Sequence, residues 1–78
     1  MVHVVQLFRL KDKNSKNGSG VITINDKNEF VFIFIFPKDV FFIKKILDSD
    51  GIIVLYNIST NSEIKLVSST FKDYFEEI

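Results

Sequence analysis

With 78 residues, no cysteine and a single histidine, His3, the chain has room for one domain, 1–78, near the smallest size at which one core suffices. A disulfide framework is excluded, and so is a structural zinc site of ordinary Cys and His composition. The formal charge is zero but unevenly spread: residues 1–47 hold eight basic and four acidic side chains, residues 48–78 two and six. That asymmetry fits a basic face for an anionic partner, complementarity between subunits, or an ordinary solvated surface.

Residues 2–10, VHVVQLFRL, are apolar on both sides at period two, which predicts a first strand. His3 lies at its start with no second histidine or cysteine to work with, so it is read as a strand-end surface residue. Residues 11–20, KDKNSKNGSG, form a polar, glycine-containing loop. With Arg9 beside it, the lysines Lys11, Lys13 and Lys16 make a candidate contact to a phosphate backbone. The loop lacks the spacing of a P-loop and no helix follows it, which argues against nucleotide binding. Val21 to Ile24 is a short strand, and Asn25-Asp26-Lys27-Asn28 is a turn that pairs it, antiparallel, with the next one.

That next stretch, EFVFIFIF from Glu29 to Phe36, has Phe30, Phe32, Phe34 and Phe36 on one side and Val31, Ile33 and Ile35 on the other. Neither side is polar, the pattern of a strand covered on both faces, so a central position is expected. Pro37 ends it. From Lys38 to about Ser49, Val40, Phe42, Ile43, Ile46 and Leu47 fall on one arc at helical spacing, with Lys44, Lys45 and Asp48 opposite, which predicts a helix stopped by Gly51. Phe41 then falls on the wet side of that helix beside Lys44 and Lys45, a candidate contact for a protein partner. The run DSDG lacks the closing ligands of a calcium loop, and no metal or other cofactor is expected.

Residues 52–58 and 63–69 read as two further strands, the second an edge strand. Phe71, Tyr74, Phe75 and Ile78 recur at i, i+3, i+4 and i+7, predicting a last helix capped by Thr70. The expected fold is α+β: a five-stranded, mostly antiparallel sheet in the order βββαββα, with two helices covering one face. The uncovered face, carrying Val31, Ile33 and Ile35, is then the expected interface of a homodimer.

No leader pattern is read at residue 1, and no apolar run approaches the roughly 20 residues that span a bilayer. A cytoplasmic protein with no membrane contact is therefore expected. Absent alanine, and one arginine against nine lysines, fit the codon bias of an AT-rich genome such as that of a virus, phage or plasmid. Catalytic triads cannot be assembled from this inventory, and Glu63, Asp48 and Asp50 sit at turns, so no catalytic residues are assigned. The expected activity is non-enzymatic: a homodimeric regulator or inhibitor of the anti-defence type that occludes a host protein complex. Nucleic-acid binding through Arg9, Lys11, Lys13 and Lys16 is the alternative, and a self-assembling structural component the third reading.

Overall fold

The computed structural model describes residues 5–11 and 17–78. Seven strands and one helix occur among them: β1 Phe8–Leu10, β2 Ser19–Ile24, β3 Phe30–Ile35, β4 Phe41–Leu47, β5 Ile52–Asn57, β6 Ser62–Val67, α1 Ser68–Tyr74 and β7 Phe75–Glu77. A five-stranded sheet runs β6-β5-β4-β1-β7, and β2 with β3 forms a separate two-stranded sheet. Every pairing is antiparallel. His3, Lys13 and Lys16 lie outside the described residues.

The hairpin β2–β3 follows from its turn. Asn25 accepts the backbone N–H groups of Lys27 and Glu29 on its side-chain oxygen, each at 2.9 Å, and Asn28 takes a left-handed φ of 62°, a conformation that asparagine tolerates better than most residues. The turn sets the register Ile24↔Phe30, Ile22↔Phe32 and Gly20↔Phe34. With period two, that register sends Val21, Thr23, Ile33 and Ile35 to one face and the phenylalanines to the other.

The predicted helix over 38–49 is instead a strand. Pro37 sits in a tight turn rather than starting a helix: the Asp39 N–H donates to the Phe36 carbonyl at 3.0 Å, and the Asp39 carboxylate accepts the Phe36 N–H at 3.2 Å. The helical spacing of the apolar residues has a physical origin in β4. Its register against β5 shifts between Ile43 and Lys45, and the extra residue of the bulge reverses the phase of the side chains. Before it Phe41 points inward, and at it Lys44 and Lys45 are both exposed. A short 3-10 turn, Asp48–Asp50, closed by Gly51 at φ 65°, then returns the chain antiparallel as β5.

The last predicted helix is cut short. Among the described residues the only α-helix is α1, which starts after Val67 with no side-chain cap, and Phe75–Glu77 becomes β7 against β1. The apolar stripe is used in part: Phe75 is buried and Phe71 stacks on it at 5.7 Å, while Ile78 is exposed. No helix among the described residues is long and apolar enough to cross a membrane.

One buried cluster joins the elements: Val21 and Ile35 from the hairpin meet Leu10, Phe41, Ile53, Leu55, Ile64, Leu66 and Phe75 from the larger sheet and its edge. The hairpin thus covers one face of the five-stranded sheet, with β2 lying against β6. Glu29 to Phe36 is therefore not central. It is the outer strand of the cover.

Candidate binding surface

The face of β3 that turns away from the core carries three exposed aromatic rings, Phe30 at 70%, Phe32 at 72% and Phe34 at 54% of full exposure, and Phe36, just beyond the end of the strand, adds a fourth at 49%. Ile22, opposite Phe32 on β2, extends the patch and is also exposed. At about 200 Å² for a whole side chain, the four rings leave about 500 Å² of apolar surface in water. That is near the upper end of the largest patch on an ordinary monomer, and such patches are commonly functional. No charged or polar side chain lies within Phe30 to Phe36.

Two glycines shape this face. An added Cβ on Gly18 would meet Phe34 ring carbons at 2.6 Å, and one on Gly20 would meet Phe32 ring carbons at 3.1 and 3.2 Å. The rings therefore lean diagonally over the bare backbone of the neighbouring strand, a cross-strand arrangement within reach of long side chains. Phe36 meets Phe34 edge to face, with centroids 5.0 Å apart. The result is an aromatic row held in place by contact with main chain.

The residues expected to contact partners lie elsewhere. Phe41, expected on a wet helix face, is fully buried and packs edge to face on Phe75 at 5.2 Å; once 41–47 is a strand, its side chain faces the core. Lys44 is ion-paired with Glu63, and Lys45 is exposed next to it on the bulge. Of the expected dimer face, Ile35 is buried at 2%, Ile33 packs against the core and Val31 is 37% exposed. The hairpin turns that side inward and presents its phenylalanines instead.

Among the basic residues read as a nucleic-acid contact, Arg9 bonds Glu76 at 3.1 Å, and the Lys11 ammonium donates to the Lys72 carbonyl in the last turn of α1 at 2.7 Å. Both belong to the β1–β7 side of the larger sheet and not to the hairpin face. Elsewhere, a shallow cleft of about 340 Å³ lies where Asn25, Asp26 and Val31 meet Glu63, Ile64 and Lys65. Thr23 also lines it, and its hydroxyl donates to the Val31 carbonyl at 3.2 Å. Among the described residues no cluster of three or more His, Cys, Asp or Glu side chains is placed to hold a metal ion.

Sequence reasoning missed the aromatic face because both sides of EFVFIFIF are apolar, so hydropathy gives no contrast between inside and outside. A usable signal was present in side-chain size: rings at every second position, branched aliphatics between them, and two glycines spaced by two, Gly18 just before the strand to be paired and Gly20 within it. Compared with known proteins, the chain matches no family model, no curated protein and no solved structure.

Proposed function

We propose that this chain is a non-enzymatic binding protein that acts by covering a surface of a protein partner, with the outer face of β2–β3 as its contact. The observation that carries the reading is the row Phe30, Phe32, Phe34 and Phe36, each 49% exposed or more, on a hairpin whose other face is already used by the core. Aromatic side chains, phenylalanine among them, are enriched at the buried centres of protein interfaces, and each ring takes a large apolar area out of water there. The composition of an AT-rich genome supports placing the protein among small viral, phage or plasmid regulators that block a host complex in the cytoplasm.

The experiment is site-specific photo-crosslinking from position 32, in cells, with the adducts identified by mass spectrometry. A discrete protein adduct that disappears when Phe30 and Phe34 are replaced by serine is the expected result. Absence of any protein adduct overturns the reading.

Exposed rings on a strand also favour a second reading, since single-stranded nucleic acids stack their bases on such platforms. Its electrostatic half is weak. Arg9 and Lys44 are each committed to a carboxylate, and the turn beside the rings mixes Asp26, Lys27 and Glu29. A nucleic-acid adduct from position 32 would select this reading over the first.

A further inference from the structure

Among the described residues β3 has one neighbour, β2. No described strand lies along its other edge, and the hydrogen-bond phase of the ladder identifies which groups lie there. The Asn25 N–H donates to the Glu29 carbonyl at 2.9 Å, which makes 25 and 29 a bonded pair. Bonded and unbonded pairs alternate along an antiparallel ladder. Thr23 with Val31, Val21 with Ile33, and Ser19 with Ile35 are therefore bonded, whereas the pairs containing Phe30, Phe32 and Phe34 are not. The N–H and C=O groups of those three phenylalanines point away from β2. Among the described residues none of them makes a backbone hydrogen bond on that side. Phe36, next in the series, is closed: both its N–H and its carbonyl are taken by Asp39.

Open edges are usually guarded by a lysine, a proline, a bulge or an overlying loop, because they invite another strand. Phe30 to Phe36 contains neither charge nor proline, and the β2–β3 register runs without a shift.

We infer that a second copy of this chain occupies the edge, its β3 pairing antiparallel with β3 about a two-fold axis at Phe32. In this register Phe32 faces Phe32 of the partner subunit, and Phe30 faces Phe34 of the partner subunit. Each bonded pair exchanges two backbone hydrogen bonds, and every free group of the edge is used without drawing on Phe36. Antiparallel pairing of one strand with itself is isologous, so the edge is its own complement. Residues directly opposite one another are aromatic on both sides, a favourable cross-strand combination. The charges at the two ends agree with it, because pairing brings the turn holding Asp26, Lys27 and Glu29 of one copy towards the end of the other strand, where Lys38 is exposed. A net charge of zero leaves the copies without long-range repulsion. The pairing produces one four-stranded sheet with the rings of both copies on a single face, a wider version of the surface proposed above. The inference rests on that reading of the hairpin as a contact surface.

A single strand pair buries less than a standard interface of about 1,200–2,000 Å², so the dimer is expected to dissociate within the micromolar range. Sedimentation velocity through that range, paired with amide hydrogen exchange of concentrated and dilute samples, tests it. The expected result is a dimer whose Phe30, Phe32 and Phe34 amides exchange at least about tenfold more slowly than in the dilute monomer. A chain that stays monomeric, or a dimer in which those three amides remain fast because the faces and not the edges meet, overturns the inference.

Two variants separate backbone from ring. Phe32→Pro removes an N–H that β2 does not use, which an edge position tolerates, whereas Phe32→Thr removes the ring and keeps the N–H. Phe32→Thr is expected to dimerise measurably and Phe32→Pro not at all; equal dimerisation by both overturns edge pairing. Retained protection of Val31 and Ile33 certifies the hairpin in each variant, and if Phe32→Pro does not fold, the exchange of the unmodified protein decides. A monomer that still crosslinks to another protein from position 32 removes the second copy and keeps the binding surface. A protected dimer giving no adduct with any other protein keeps the second copy and removes the occluding function.

Discussion

The ring of Phe34 lies against Gly18, so close that a Cβ there would come within 2.6 Å of two ring carbons and of the Ile35 carbonyl oxygen. Gly18 also holds a φ of 111°, a region almost reserved for glycine. Gly18→Ala therefore combines backbone strain with a clash against main chain that cannot swing away. A loss of about 1–3 kcal/mol is expected, and at about 4–8 °C per kcal/mol for a domain of this size it is readily seen in a thermal melt. Gly20→Ala is the milder change, within about 1 kcal/mol, because only the exposed ring of Phe32 has to move.

Phe41 and Phe32 should respond in opposite ways to the same substitution. Phe41→Ala empties the middle of the core and is expected to cost about 3–5 kcal/mol, a large share of the total stability of a small domain. Phe32→Ala, at a side chain 72% exposed, should stay within about 0.5 kcal/mol of the unmodified protein while weakening association. Urea unfolding measures the first and sedimentation the second.

Asn57 organises the turn between β5 and β6 from a buried position, 4% exposed. Its side-chain oxygen accepts the N–H groups of Ser59 at 2.9 Å and Thr60 at 3.2 Å. Asn57→Ala leaves both donors without that acceptor and is expected to cost about 1–3 kcal/mol. Asn57→Asp keeps the acceptor and should lose less. Amide exchange at residues 59 and 60 reports directly, with faster exchange expected in the alanine variant alone.

The exposed ion pairs should matter little. Arg9 with Glu76 and Lys44 with Glu63 join side chains between 36% and 51% exposed, so Arg9→Ala and Lys44→Ala are each expected to cost less than about 1 kcal/mol. Neutralising Arg9, Lys11, Lys13 and Lys16 together tests the nucleic-acid reading. No change in association with single-stranded or duplex DNA is expected; tight binding whose salt slope falls in the variant would reverse the order of the two readings.

Where local chemistry decides the structure, the sequence was readable. Asn25-Asp26-Lys27-Asn28 identified the β2–β3 turn, and the strands expected over 52–58 and 63–69 lie within a residue or two of β5 and β6. Where a distant partner decides, it was not. Lys38 to Ser49 has apolar residues at helical spacing because a bulge reverses the phase of β4, and a bulge is fixed by pairing with β5. Phe75 to Glu77 completes a helical stripe in sequence, yet it is drawn off as a strand by β1, whose residues are more than sixty positions away. The aromatic surface was hidden for another reason: a strand apolar on both sides records no preference for which side is buried, and only the demand of the core for Ile33 and Ile35 selects it.

The pairing of β1 with β7 also sets an order of events in time. The pairs β2–β3, β4–β5 and β5–β6 each join neighbours through short turns, and such local closures are fast. β1 is different. It meets β4 at a single register position, Phe8 with Phe41, and its main support is β7, with Arg9 and Glu76 separated by 67 positions. Joining ends so far apart carries a large loop-closure entropy, so this edge of the sheet is expected to assemble after the hairpins and to open first. A nascent chain can form its hairpins early, but it cannot secure Leu10 over Phe75 until its final strand has been synthesised.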